Sequence, residues 1–391
     1  HGAMFVPEDG SAALPMMFLL LILWGSWPAC RKMGGSGNVE FEMSYVLTQC
    51  AVSVILCGTF GMAAAGGARH FDDKLFVEVL ADELQQKPGA ALLGVLAGAS
   101  LCIGDFVMAC AIDLLGVTIA CPLGFGIPLT LGSTLNYVVE PKADPTLLFP
   151  GILCCLCGML ADTASHANRT EGDAPTAGTA PPALEAAEQS KTVDSAPPAV
   201  MAAERGGQEA QNGEVGHDAS WNWRLLLVPV LGGSCCAASG PICTAAGALG
   251  GLDPYVIQSA FMIGQMLSLL PVLSVYAAIT RPEPLADLSI SRIPGAILRH
   301  FYHSVQKAPR ATFWNAMAGI CTGTGWFLFQ VGTPVVSRAV GFIFGCSSPL
   351  TCIFFGIFIF HEFHGQPLRA KLYSALATVF FVAAMVLMSI A

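Results

Sequence analysis

Asp105 lies in an apolar run, Ala90–Ile112, and is the only acid well inside a predicted span. A carboxyl group held at membrane depth is desolvated and can take up and release a proton. Asp105 is therefore a candidate for proton coupling, against the plainer role of a hydrogen bond to a neighbouring helix. Uncharged polar groups occur in similar runs. Asn136, Gln258 and Gln330 carry amides with donors and acceptors, Thr130 carries a hydroxyl, and Trp27 and Trp326 carry flat faces for stacking. Together these groups suit a small polar heterocycle. Glu362 closes another apolar run and is a candidate gate.

Motifs for other chemistry fail. In His361-Glu362-Phe363-His364 the histidines are three apart, where the zinc motif needs four. There is no phosphate-binding loop and no nucleophile elbow, so no enzyme, cofactor, metal or nucleic-acid partner is expected.

Two apolar runs are broken at matching places. The first contains Pro122, Gly124, Gly126 and Pro128, and the second Gly341, Gly345 and Pro349. Proline removes a helix hydrogen bond and glycine loosens the backbone. Irregular backbone at membrane depth is tolerated only against protein or a wet cavity. A pair of such breaks points to a binding site between two halves.

The elements that carry these residues follow from composition. Mean hydropathy is +0.63 and only 12% of residues are charged, against about 25% in a soluble domain. Ten runs approach the ~20 residues needed to cross a bilayer as helix. They are Ser11–Cys30, Met43–Ala65, Ala90–Ile112, Val117–Val139, Leu147–Ser165, Trp223–Gly247, Val256–Thr280, Thr312–Thr333, Pro334–Phe360 and Leu372–Ile390. The first is read as retained. The expected fold is an all-α membrane protein of ten transmembrane helices. Ala97-Gly98, Gly104, Phe106 and Pro128-Leu129-Thr130 recur 221 positions later as Ala318-Gly319, Gly325, Phe327 and Pro349-Leu350-Thr351. The chain thus reads as two five-helix repeats, 1–161 and 223–391. An odd number of spans per repeat makes them inverted. Ile293, Ile297, Phe301 and Val305 recur every four residues beside basic residues and predict a surface helix, or else a plain basic loop.

Residues 162–222 read differently. Ten acids stand against three bases in an Ala-, Gly-, Pro- and Glu-rich stretch without apolar period, as in a disordered tether. The net charge of −9 belongs mostly to it and says little about a substrate. Basic residues between spans divide 13 to 5. The positive-inside rule puts the richer side, with the tether, in the cytoplasm and both termini opposite. The 15 cysteines fall mostly within apolar runs, where they act as small buried side chains.

Several of these residues resemble the ureide permeases of the drug/metabolite transporter superfamily. Gly25-Ser26-Trp27-Pro28-Ala29 is similar to G-T-W-P-A. Gly132-Ser133-Thr134-Leu135-Asn136-Tyr137 is similar to G-T-T-L-N-Y and is followed by Leu148-Phe149-Pro150-Gly151. Pro349-Leu350, Phe354, Gly356, Phe360 and Glu362 match the spacing of a third block. The resemblance implies a ten-helix plasma-membrane carrier that imports ureides and nucleobases such as allantoin, uracil and xanthine with protons. The chain departs from that pattern in having no phosphate-loop-like motif in its tether, and in Asp105, where plant members look more like asparagine. Two rival readings are a related carrier for a neutral sugar or other small metabolite, and a non-transporting scaffold acting through the tether.

Overall fold

The computed structural model describes residues 6–61, 76–115, 120, 124–169, 223–280 and 292–391. Pro122 and most of the predicted tether lie outside them. The described residues of the membrane unit are helical. In the first half these are α1 (Gly10–Gly34), α2 (Asn38–Phe60), α3 (Phe76–Gln86), α4 (Pro88–Leu115), a π-helical turn (Pro128–Gly132), α5 (Ser133–Val139) and α6 (Pro145–Ala167). The second half holds α7 (Leu227–Ala248), α8 (Pro254–Thr280), α9 (Ile293–Lys307), α10 (Pro309–Val336), α11 (Arg338–Cys346), α12 (Pro349–Phe358) and α13 (Leu368–Ile390).

Local chemistry explains the boundaries. Asp9 caps α1 by accepting from the amide of Ala12 (3.0 Å), and Asp144 caps α6 by accepting from Thr146 (2.9 Å). α4, α6, α8, α10 and α12 each begin on a proline, whose missing N–H is harmless in a first turn. α1 ends at Gly35 in the left-handed region (φ 60°). α6 continues to Ala167, past the tether boundary expected at 162. Residues Ile293–Lys307 form the predicted amphipathic helix, with Ile293 and Ile297 buried.

Eight helical runs among the described residues are long and apolar enough to cross a bilayer: α1, α2, α4, α6, α7, α8, the α11–α12 run and α13. The chain is an all-helical, multi-pass membrane protein. The ten expected runs differ from this set in two places. The fourth run is divided around the π-helical turn, with part of it outside the described residues. α10 is 28 residues long, but Asn315, Gln330 and four threonines lower its hydropathy. Asn315, Thr322, Gln330 and Thr333 are nonetheless buried. Asn315 donates to Ser36 Oγ (2.8 Å).

The helix contacts repeat when the halves are exchanged. α1 packs along α10, as α7 packs along α4, and α2 packs on α10, as α8 packs on α4. α7 meets the π-helical turn and α5, while α1 meets α11 and α12. α6 pairs with α13 and α2 with α8. The approach is close at two corresponding glycines. A methyl on Gly98 would strike the carbonyl of Phe261 on α8, and one on Gly319 would strike the carbonyl of Tyr45 on α2. Small residues let membrane helices approach this closely and gain dispersion energy.

Candidate functional site

α1, α2, α4, α7 and α10 meet the two broken spans around a cavity with about 80 Å³ of water-accessible volume. That is room for several waters at roughly 10–15 Å³ each by this measure. Three indoles, Trp24, Trp27 and Trp326, form much of its wall. Trp24 lies 4.8 Å from Trp326, and Trp326 lies 4.5 Å from Phe261 (ring centroids). Trp27 stands 6.2 Å from Tyr45, which stacks on Phe41 at 5.3 Å.

Asp105 is the carboxylate of the wall. Its Oδ2 accepts from the Tyr45 hydroxyl (3.4 Å) and its Oδ1 from Cys236 Sγ (3.7 Å). Both bonds are long, so the carboxyl is held loosely and keeps accepting capacity for a ligand. Nearby, the buried Nε1 of Trp24 has no hydrogen-bond partner. The site therefore offers flat apolar faces and one carboxyl group.

Both broken spans reach this cavity. Gly124, Phe125 and Pro128 line it from the fourth span, and Phe342, Gly345, Cys346 and Ser348 from the ninth. The ninth is interrupted at Ser347 and Ser348, between α11 and α12, and Pro349 restarts the helix. Gly341 and Gly345 lie inside α11. Gly345 presses on the Trp24 indole, and Gly341 presses on Thr333. Gly126 supplies a carbonyl that accepts from Thr130 Oγ1 (2.8 Å).

Of the predicted substrate contacts, the cavity gathers Trp27 and Trp326. The others are engaged elsewhere. Asn136 is fully buried and its Oδ1 accepts from Thr244 on α7. Gln258 donates to Ser53 Oγ on α2 (2.9 Å). Gln330 Oε1 accepts from Arg338 (2.9 Å), and Thr130 bonds its own helix. Sequence reasoning passed over Trp24 and Tyr45 as site residues. It also passed over Glu42, which precedes the predicted second span by one residue and is only 1% exposed. An acid between Phe41 and Met43 was the available signal.

Two charged networks lie away from the cavity. In one, Arg338 is 4% exposed, bonds Gln330 and lies 3.9 Å from Glu140, which pairs with Lys142 (2.6 Å). In the other, Glu362 accepts from Lys32 (2.6 Å) and Arg169 (2.7 Å), joining α1 to the segments after α6 and α12. Burial pushes the Glu362 carboxyl up, but those two cations outweigh it and hold the group below its ordinary value.

The family profile of the ureide permeases matches residues 42–219. Ureide permease 2 of Arabidopsis thaliana is 26% identical over 172 residues, covering 43% of this chain and 42% of its own length. Probable ureide permease A3 of Vigna unguiculata is 28% identical over 153 residues, covering 38% of this chain and 39% of its own. The match thus spans about two fifths of the length of these curated relatives. The resemblance carried by the motifs is borne out. A solved crystal structure of another protein superposes on 96% of this chain and 97% of its own, with a TM-score of 0.52 at 14% identity. That likeness shows a shared fold.

Proposed function

We propose that the chain is a secondary transporter for ureides and nucleobases, small oxo N-heterocycles of the allantoin, uracil and xanthine kind. It moves them with protons by alternating access. The carrying observation is the cavity itself. It lies between the two halves, is walled by three indoles, and holds one loosely bonded carboxyl beside two interrupted helices. Flat faces suit a planar ring, and an ionisable group at membrane depth marks a substrate or proton path. The named relatives are ureide permeases, which supports the substrate class.

In this reading the membrane unit has ten spans, the fourth and ninth being irregular, in two inverted repeats. The exchange of helix contacts between halves supports that arrangement. The two charged networks serve in it as the closures that alternating access needs on either side of the site. Asp105 takes the proton, Trp24, Trp27 and Trp326 hold the ring, and Glu362 belongs to the closure at the Lys32 end. That end and the central tether are cytoplasmic, and the membrane is the plasma membrane. A carrier of neutral sugars is the second reading, because indoles also stack on sugar rings.

Uptake of radiolabelled allantoin and uracil into proteoliposomes at two external pH values tests the proposal. Saturable uptake that rises with an inward proton gradient is expected. Absence of uptake for both compounds would end the substrate assignment.

A further inference from the structure

Glu42 stands on α2 one helical turn before Tyr45, roughly 4.5 Å along the axis. It is 1% exposed, and neither carboxylate oxygen has a hydrogen-bond partner. A buried, unpartnered carboxylate is costly and needs a proton or a cation. The charged and titratable groups facing it are few. Arg31 on α1, Asp105, Cys102 and Cys110 on α4, and Tyr45 on its own helix are the groups whose charges it feels. α8 has no acidic or basic residue, α10 has only Arg310 in its first turn, and His300 of α9 is taken by Glu40 (2.5 Å).

Arg31 is itself half engaged. Its Nη2 donates to Asn38 and to Asp113 (3.3 Å), whose side chain is 52% exposed. Its buried Nη1 has no partner. Along α2 the order is Tyr45, which bonds Asp105, then Glu42, then Asn38, which bonds both Arg31 and the exposed Asp113.

We propose that Glu42 is a second proton-carrying carboxylate, which passes protons between Asp105 and the aqueous face beside Asp113. The proton leaves the Asp105 carboxyl, crosses by the Tyr45 hydroxyl or a water, and arrives on the Glu42 carboxylate. No electrons move. Glu42 then gives the proton to water, and the idle Nη1 of Arg31 balances the carboxylate left behind. Asp105, now ionised, is ready for reloading from the other side. The inference rests on the proton-coupled reading above.

The test compares two rates in proteoliposomes containing the full chain: uptake of labelled uracil or allantoin driven by a proton gradient, and exchange of the same compound without one. In Glu42→Gln the ratio of driven uptake to exchange is expected to fall about tenfold. A ratio equal to wild type overturns the proposal. If the wild type exchanges substrate but ignores the gradient, the coupling reading fails and this inference falls with it. Arg31→Gln leaves Glu42 in place and removes its counter-charge. The pH of half-maximal driven uptake should then move upward. An unmoved profile counts against Glu42 even if Glu42→Gln does not fold.

Discussion

The two halves use one packing plan for different chemistry. Where Gly319 presses α10 onto α2, the carbonyl it meets belongs to Tyr45; where Gly98 presses α4 onto α8, it belongs to Phe261. Asp105 and Trp326 are separated by the same 221 positions as the two glycines. So Tyr45 bonded to Asp105 in one half corresponds to Phe261 stacked on Trp326 in the other. The likeness extends one turn further. Glu42 has no partner, while its counterpart Gln258 is tied to Ser53. The packing is doubled, while Asp105 and Glu42 of one half have an indole, Trp326, and an amide, Gln258, as counterparts in the other. In the proposed mechanism the paired packing serves a rocking motion and the acids of one half give the proton its route.

The largest expected effect separates the two closures. Arg338 is buried, so Arg338→Gln strips Gln330 of its charged donor and leaves Glu140 with Lys142 alone, and should cost up to about 3 kcal/mol. Denaturation of the purified protein would read this as a clear drop in midpoint. Next comes the acid track. Asp105→Asn should lower proton-driven uptake about a hundredfold, roughly 2.7 kcal/mol, and flatten its pH profile. A retained profile would remove Asp105 from coupling. Gly98→Leu and Gly319→Leu sharpen the packing side of the comparison. Each should cost about 1–3 kcal/mol by overpacking, and the two losses should agree. A loss on one side alone would break the equivalence of the halves.

The smallest effect lies at Glu362. Its carboxyl is held below its ordinary value, so its pairing stabilises the fold above the unfolded carboxyl range. That contribution disappears as pH falls through the lowered value. It is partly wetted and should amount to about 1 kcal/mol or less. The melting difference between wild type and Glu362→Gln should therefore be present at neutral pH and vanish in acid. A difference that persists in acid would mean the pairing is not its source.

The apolar runs, the interrupted spans and the amphipathic α9 were legible because each rests on local rules of hydropathy, proline and spacing. Trp27, Trp326 and Asp105 stood out for the same reason, since each is polar or aromatic in mid-run, and they line the cavity. Three amides that also stood out are bonded elsewhere. Asn136, Gln258 and Gln330 find partners in Thr244, Ser53 and Arg338. Buried polar groups take whatever donor or acceptor folding brings near, and for Asn136 and Gln258 that partner comes from the other half of the chain. Arg338 was missed similarly, because its depth depends on how α10 and α11 turn against Glu140. Glu42 fell just outside a hydropathy window. Such a window cannot tell an acid wetted at a helix start from one roofed by neighbouring helices.

The wide turn at Pro128–Gly132 sets the phase of the fourth span. Before it, Gly124 and Phe125 face the cavity; after it, Asn136 meets Thr244 on α7. Regular winding advances about 100° per residue, so the surplus residue in this turn fixes which neighbours each segment sees. Removing one residue there would restore an unbroken spiral. It would also swing everything beyond, Asn136 included, by more than a quarter revolution. That single insertion lets one rod serve two differently oriented surfaces.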